Sequence, residues 1–247
     1  MSGQRVGIVG IGRSAFRRKR DASLNFEDIE AVIYSLSPNA MVGIGNAERA
    51  GIDAVGGRSK PFLCINTGGT TGISSVIAAW SHVAAGAYNV VLTAGADKVG
   101  ECGDSQTVLN EIWDPTYERQ LPLGTINMLG MSAVRYMHKY DMTLNDMAKV
   151  VVKNRAHAAL NPNPHLSAIT TEAEVMASRM IPWPNKLFDC CPQSSGGCAM
   201  VLASERYIKD RGFDAVWISG LSQCAETYYL GDRMGVGFTA DHADAHA

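Results

Sequence analysis

The residues best suited to chemistry lie in Thr67-Gly-Gly-Thr-Thr-Gly72, which follows the apolar run Pro61-Phe-Leu-Cys-Ile65 and leads into a nearly uncharged stretch ending at Gly86. This order predicts a buried strand, a Gly/Thr turn, a helix over 70–85 stopped by Gly86, and a second buried strand from Asn89 to Ala94. A helix with almost no charge suits burial on all sides. An N-terminus that opens on glycines would present unpaired N–H groups and the positive end of the helix dipole. Such an end can hold a carboxylate, a phosphate or a developing oxyanion. A plain strand-turn-helix of an α/β core fits the same pattern, and the local sequence leaves both readings open.

Other reactive side chains are scattered. The six cysteines (Cys64, Cys102, Cys190, Cys191, Cys198, Cys224) form no CxxC pair and no zinc spacing. They read as reduced cytosolic thiols. Cys64 reads as a core thiol on its strand. Cys190 and Cys191 are adjacent, so they cannot both face one site. His242 and His246 have the i, i+4 spacing of a metal pair, but no third ligand accompanies them and no metal is expected. His157 and His165 flank a helix end and suggest surface or capping roles. Tyr228 and Tyr229 could offer a phenol to a ligand or simply pack.

The elements that must position these groups read as an α/β chain. Its 247 residues allow one large domain or two small ones. A net charge of −2 with 19% charged residues gives no footprint for nucleic acid. The one basic run, Arg17-Arg-Lys-Arg20, precedes Asp21 and reads as a solvated loop. No apolar run reaches membrane-spanning length, and Met1-Ser-Gly-Gln-Arg-Val6 does not read as a signal peptide.

Arg5–Ile11 reads as a first strand running into Gly10-Ile-Gly-Arg-Ser-Ala15, a weak match to a dinucleotide fingerprint. That fingerprint needs a helix at the glycines and an acid closing the next strand. The next strand, Ala31–Leu36, ends without one. Between Gly12 and Asn25 there is no amphipathic helix to cross over between parallel neighbours. Either the two strands are not parallel neighbours or a segment is absent around Asp21-Ala22, and absence is the reading favoured.

Further along, the pattern predicts a helix over Asn46–Val55 and an irregular segment over 99–122. Helices follow over Thr125–Tyr140 and from Thr143 to about Ala159, the second opened by a capping box with Asp146. Thr171-Glu-Ala-Glu174 starts a short helix, Ile181-Pro-Trp-Pro184 is a stiff extended linker, and Leu187–Gly197 is a Gly-rich turn. Cys198–Ala203 is a strand, Ser204–Arg211 a helix stopped by Gly212, and Ala215–Leu221 a last strand. Cys224–Phe238 is loop, and Asp241–Ala247 looks like the start of a helix.

Four segments in this order carry a family resemblance: Val6–Phe16, Gly86-Ala-Tyr-Asn-Val-Val-Leu-Thr-Ala-Gly-Ala-Asp-Lys98, Arg135-Tyr-Met-His-Lys-Tyr140 and Asp189–Leu202. The chain resembles the N-terminal half and loop domain of the thiolase superfamily, nearest the sterol-carrier-type and archaeal acyl-CoA thiolases. Thr67–Gly72, Ile112-Trp-Asp-Pro115 and Thr227–Met234 look most like the large subunit of benzoylsuccinyl-CoA thiolases, with thiolase-like steroid side-chain aldolases as close competitors.

The resemblance implies a layered αβα half with a mixed five-stranded sheet, formed by 1–101 and 190–247, with a loop domain inserted at 102–189. It implies an acyltransferase acting on CoA thioesters, with coenzyme A as substrate and no resident cofactor. It also implies a homodimer and a small zinc-ribbon/OB-fold partner. The family's second α/β half, with its His, Cys and oxyanion residues, has no counterpart here, and neither does the helix between its first two strands. Both gaps lead to the expectation that the sequence is part of a longer polypeptide.

The family's nucleophilic cysteine position, counted back from Gly86, is Gly69. Cys64 lies five residues earlier, on the strand. By the same resemblance Gly68, Gly69 and Thr70 would bind or polarise an acyl oxygen. Met128 and Leu129 would lie beside the pantetheine arm, and Cys191 and Pro192 would approach the thioester. For Gly69 the alternative is close helix–strand packing, and for Met128 and Leu129 it is ordinary core.

Overall fold

The computed structural model describes residues 4–13, 26–36, 38–41, 43–121, 124–225 and 227–229. Its elements, in chain order, are β1 (Val6–Arg13), β2 (Ala31–Ser35), α1 (Glu48–Ala54), β3 (Phe62–Ile65), α2 (Thr71–Ala84), β4 (Val90–Lys98) and α3 (Ser105–Asn110). They continue with α4 (Thr125–Tyr140), α5 (Leu144–Ala159), α6 (Glu172–Ala177), β5 (Ser195–Ser204), α7 (Glu205–Arg211) and β6 (Val216–Trp217). The basic run at 17–20, the expected gap at 21–22, His242 and His246 lie outside the described residues.

The chain forms two compact units, Met1–Gly103 with Ser195–Ser222, and Asp104–Ser194 with Gln223–Ala247. The segment 190–194 groups with the second unit rather than with the sheet. Its side chains bond there: Gln193 Nε2 donates to Ser105 Oγ, and Ser194 Oγ meets His165 Nδ1 at 2.5 Å.

Among the described residues the first unit is built on one mixed sheet of six strands in the order β3-β2-β4-β5-β1-β6, one strand more than the resemblance implied. The sixth, Val216–Trp217, is all that forms of the strand expected over 215–221. Strand β2 runs parallel to both β3 and β4, while β5 is antiparallel to β4 and β1. Strands β1 and β2 are therefore not neighbours, although both run antiparallel to β5 and so parallel to each other. A connection back across the sheet is still required between them, and residues 14–25, which would make it, lie outside the described residues.

Alternation of apolar residues fills both faces. Ile33, Val91 and Leu202 pack with Ala79 and Val83 of α2 on one face. Val32, Leu92 and Val201 pack with Ile208 of α7 on the other. The glycines of the weak fingerprint sit inside β1, where Gly10 pairs with Val201 and Gly12 with Ala199. They lie within the strand and not at the turn that the fingerprint needs, which counts against the nucleotide-binding reading.

Strand β5 begins three residues earlier than expected, because Gly196 and Gly197 pair with Asp97 and Ala96 of β4. A Cβ on Gly197 would stand 3.1 Å from Gly95 O and 3.2 Å from Ala96 Cβ, so this close ladder needs glycine. Helix α2 is not covered on all sides within the described residues. Thr71, Ser74, Ser75, Ala79 and Val83 are buried, while Ile73 is 66% exposed.

In the second unit the segment at 99–122 is less irregular than expected, since α3 forms there behind an Asp104 cap. Ile181–Pro184 is a tight turn containing a cis Trp183–Pro184 bond and not an extended linker. Ile181 N donates to Asn185 O and Asn185 N to Pro182 O, which closes the turn. Helix α4 packs on it at Gly130, where a Cβ would lie 3.0 Å from Trp183 O.

Three helices of this unit open on hydrogen-bonded carboxylates. The expected capping box at Thr143 and Asp146 forms, and a second joins Thr171 to Glu174. Asp146 is held well below the usual carboxylate range, first by the Lys149 ammonium and then by Thr143. Glu174 is held down by the Thr171 N–H and hydroxyl, and Asp104 by Thr107. A carboxylate with a lowered folded pKa stabilises the fold fully above its unfolded value near 4 and loses that contribution as pH falls toward the folded value. Thermal melts at pH 5 and pH 2 should therefore show a loss in wild type that is smaller in Asp146→Asn, which has no charge to lose.

Candidate active site

The Gly/Thr turn stands where β3 passes into α2, at the C-terminal ends of the parallel strands, a usual place for ligands in α/β sheets. Gly68 takes φ +66°, a left-handed conformation that glycine adopts without cost. Gly68–Thr70 form one 3-10 turn, and α2 follows at Thr71.

A network of hydroxyls holds the turn. Thr67 N–H donates to Thr71 Oγ1 at 2.9 Å, and Thr71 Oγ1 donates to Gly68 O at 2.6 Å. Thr67 Oγ1 donates to Ser74 Oγ at 2.8 Å, and Thr70 Oγ1 donates back to Thr67 O at 3.1 Å. Below it, buried Thr93 Oγ1 on β4 donates to Ser75 Oγ at 3.0 Å, and Ser75 Oγ donates to Gly72 O at 2.7 Å. The turn is thus anchored to the sheet through Ser75. Sequence reasoning missed this anchor, although Thr67, Thr70, Thr71, Ser74 and Ser75 carry hydroxyls at helical spacing.

Ser75→Ala would leave the Thr93 hydroxyl, 4% exposed, without its acceptor and would release the Gly72 carbonyl. Urea unfolding should register a loss of about 1–3 kcal/mol.

The outward side of the turn is backbone. Thr70, at the N-cap of α2, makes no side-chain cap bond, so the first-turn N–H groups of the helix are not covered by a side chain. The Gly68 N–H is taken by Asn66 Oδ1 at 3.0 Å. Cβ atoms built on Gly68, Gly69 and Gly72 would meet nothing within 4 Å. Close helix–strand packing therefore does not explain Gly69. Cys64, half-buried on β3, has its thiol pushed up by burial and then by the Glu48 charge, as befits a structural thiol.

The remaining expected site residues lie in the second unit. Met128 is 3% exposed and Leu129 59%, because consecutive residues on α4 point about 100° apart. Of the two, Leu129 is the one open to a ligand. Cys191 is exposed and, with Pro192, lines a groove of about 660 Å³. Cys190 is half-buried, its Sγ 3.5 Å from Lys186 O, and its thiol is pushed up by burial and then by the Asp189 charge. Tyr228 and Tyr229 pack on each other at 5.0 Å, and Tyr229 meets Tyr117 edge-on at 6.0 Å. His165 is exposed, as its position suggested, and its ring meets Ser194 at the edge of the groove. Among the described residues no cluster of metal-ligating side chains forms, and no helix is long and apolar enough to cross a membrane.

This arrangement, a glycine turn leading into a helix on a mixed sheet, with a helical unit inserted in the chain, can be set beside known proteins. The model of the thiolase N-terminal domain matches residues 14–170. The chain belongs to the thiolase family. An acetyl-CoA acetyltransferase of Methanothermobacter thermautotrophicus is 27% identical over 94% of this chain and 65% of its own length. A 17-hydroxy-3-oxo-4-pregnene-20-carboxyl-CoA lyase of Mycobacterium tuberculosis is 32% identical over 93% of this chain and 65% of its own. The chain thus spans about two thirds of the length of these thiolase relatives. A solved structure described as an Ltp2-ChsH2(DUF35) aldolase superposes with a TM-score of 0.64 at 24% identity, covering 89% of this chain and 61% of that one. The sheet and its helices therefore have the thiolase-like α/β fold.

Proposed function

We propose that this thiolase-family chain serves an enzyme that cleaves or forms a carbon–carbon bond beside a CoA thioester, without an acyl-cysteine on its own turn. The observation that carries the reading is Gly69. It occupies the position where relatives are expected to hold a nucleophilic cysteine, and it offers open space and backbone in place of a thiol. In such a cleavage the electron pair of the breaking bond passes onto the α-carbon and its thioester oxygen. The first-turn N–H groups of α2 and the helix dipole stabilise that charge at an oxygen lodged over Gly69.

Two chemistries share this step. In thiolysis the sulfur of free CoA attacks the 3-oxo carbon, the C2–C3 bond breaks, and the released acyl-CoA enolate takes up a proton. The relatives named acetyl-CoA acetyltransferase support it. Its finest form is the conversion of benzoylsuccinyl-CoA to benzoyl-CoA and succinyl-CoA within aromatic degradation, which rests on the resemblance of Thr67–Gly72 and Ile112–Pro115. In retro-aldol cleavage a 3-hydroxyl loses its proton, the same bond breaks, and a ketone or aldehyde leaves. The missing thiol at Gly69 and the relatives named lyase and aldolase favour this second route.

The working form we propose is a cytoplasmic homodimer with a small zinc-ribbon/OB-fold protein. The solved structure described as an Ltp2-ChsH2(DUF35) aldolase supports the partner. The test is product formation from 3-oxoacyl-CoA and 3-hydroxyacyl-CoA substrates with and without free CoA. Thiolysis stops without CoA and retro-aldol cleavage does not. No turnover of either class by the chain with its DUF35-type partner would overturn the reading in favour of a non-catalytic scaffold subunit.

A further inference from the structure

One face of α5 carries Met147, Val150, Val151, Asn154, Arg155 and Ala158, at i, i+3, i+4, i+7, i+8 and i+11. In a self-contained amphipathic helix such a stripe would be core. Here it lines the 660 Å³ groove instead, and Val150 is 48% exposed. The opposite wall is the turn at 188–194, with Phe188, Cys191 and Pro192. The volume falls within the range of about 300–1,000 Å³ typical of small-molecule sites.

The charged side chains of the groove are Arg155 and Asp189, beside polar Asn154, His165, Asn185 and Ser194. Arg155 is half-buried in the groove, and its guanidinium lies over the Phe188 ring at 5.7 Å. It forms no ion pair among the described residues. The Asp189 carboxylate also lines the groove, but its Oδ2 accepts the Lys186 N–H at 2.7 Å, closing the 3-10 turn at 187–189. At the groove's loop wall His165 is tied to Ser194. A cation oriented by an aromatic ring and without an ion pair, beside the aliphatic stripe of α5, is half of an ion pair whose other half a ligand can supply.

We propose that this groove binds an apolar carboxylic acid, its carboxylate held by the Arg155 guanidinium and its hydrocarbon body laid along Met147, Val150 and Val151. Arg155 suits this role because its planar fork takes both carboxylate oxygens while its flat face stays on Phe188. Cys190, held as a neutral thiol by burial, puts no charge of its own against the anion. Cys191 and Pro192 share the groove, so an acid bound there lies beside the turn expected to approach a thioester. The binding itself does not depend on the cleavage reaction being the one proposed above.

The experiment is calorimetric titration of the full chain with hexanoate, with hexanamide as its neutral counterpart and with inorganic phosphate. Hexanoate should bind at least about tenfold more tightly than hexanamide, the step expected of one charge-assisted pair. Arg155→Gln should abolish that preference while leaving the melting curve unchanged. Ala158→Leu, which adds bulk to the groove lining and keeps the charge, should weaken both ligands together. Equal binding of acid and amide, an unchanged preference in Arg155→Gln, no saturable binding of hexanoate, or phosphate binding as tightly as hexanoate would each overturn the proposal.

Discussion

Leucine at Gly69 is expected to cost about two orders of magnitude in turnover of a cleavable acyl-CoA, while the protein stays folded. The size of the loss is that of removing a preorganised oxyanion site, because the side chain occupies the space where the acyl oxygen would approach the helix N-terminus. The fold should tolerate it. A Cβ at Gly69 meets nothing within 4 Å, and the backbone there is not left-handed. Urea unfolding should place Gly69→Leu and Gly69→Cys within about 1 kcal/mol of wild type.

Gly68→Ala is the informative contrast. It has the same open surroundings but a φ of +66°, so alanine there costs about 1 kcal/mol of stability. Turnover measured with the assembled enzyme separates the two positions. An active Gly69→Leu variant would remove the binding role from this turn.

The second large effect is on folding. Gly95→Ala is expected to destabilise the first unit by about 3 kcal/mol, at the upper end for an overpacked site. Gly95 pairs with Ser35 of β2, and a Cβ there would overlap Ser35 Oγ and stand 2.8 Å from Ser35 O. The hydroxyl can turn away, but the carbonyl belongs to a strand held by ladders on both sides, to β3 and β4. Adding Ser35→Gly should therefore recover only part of the loss, and the urea midpoint of the double variant should fall between wild type and Gly95→Ala. Full recovery would mean that the side chain alone makes the conflict.

What could be read from the residues was mostly what local chemistry decides. Thr143 with Asp146 and Thr171 with Glu174 mark helix starts because a hydroxyl and a carboxylate three positions apart bond each other's backbone. The helix after Thr70, the stop at Gly86 and the turn at Gly212 follow from the same kind of signal. What was misread depends on distant partners. Gly196 and Gly197 have the composition of a turn, and only β4 makes them strand. Ile181–Pro184 looks extended one residue at a time and becomes a turn through its bonds to Asn185.

The site divides in the same way. The role expected of Gly69 came from the family resemblance, whereas its empty surroundings could not be read from the residues. The helix that carries the stripe from Met147 to Ala158 was expected from its capping box at Thr143, but the stripe itself was not singled out. The residues that turn it into a groove lie outside the helix, at 136 and 142 before it and at 164–166 and 185–194 after it.

The order of the strands also sets an order in time. The longest ladder of the sheet joins β4 to β5, from Val90 with Ala203 to Lys98 with Ser195. The whole inserted helical segment lies between its two sides in sequence. Closing a loop of that length costs about 4 kcal/mol in chain entropy before the ladder returns any of it. Contacts this far apart in the chain slow folding. During synthesis β2, β3, α2 and β4 emerge early, but the antiparallel flank of β4 stays unpaired until β5 leaves the ribosome. Until then that flank is an open edge to which another nascent chain could add a strand. Chaperone dependence should therefore be greatest in chains stalled between residues 98 and 195.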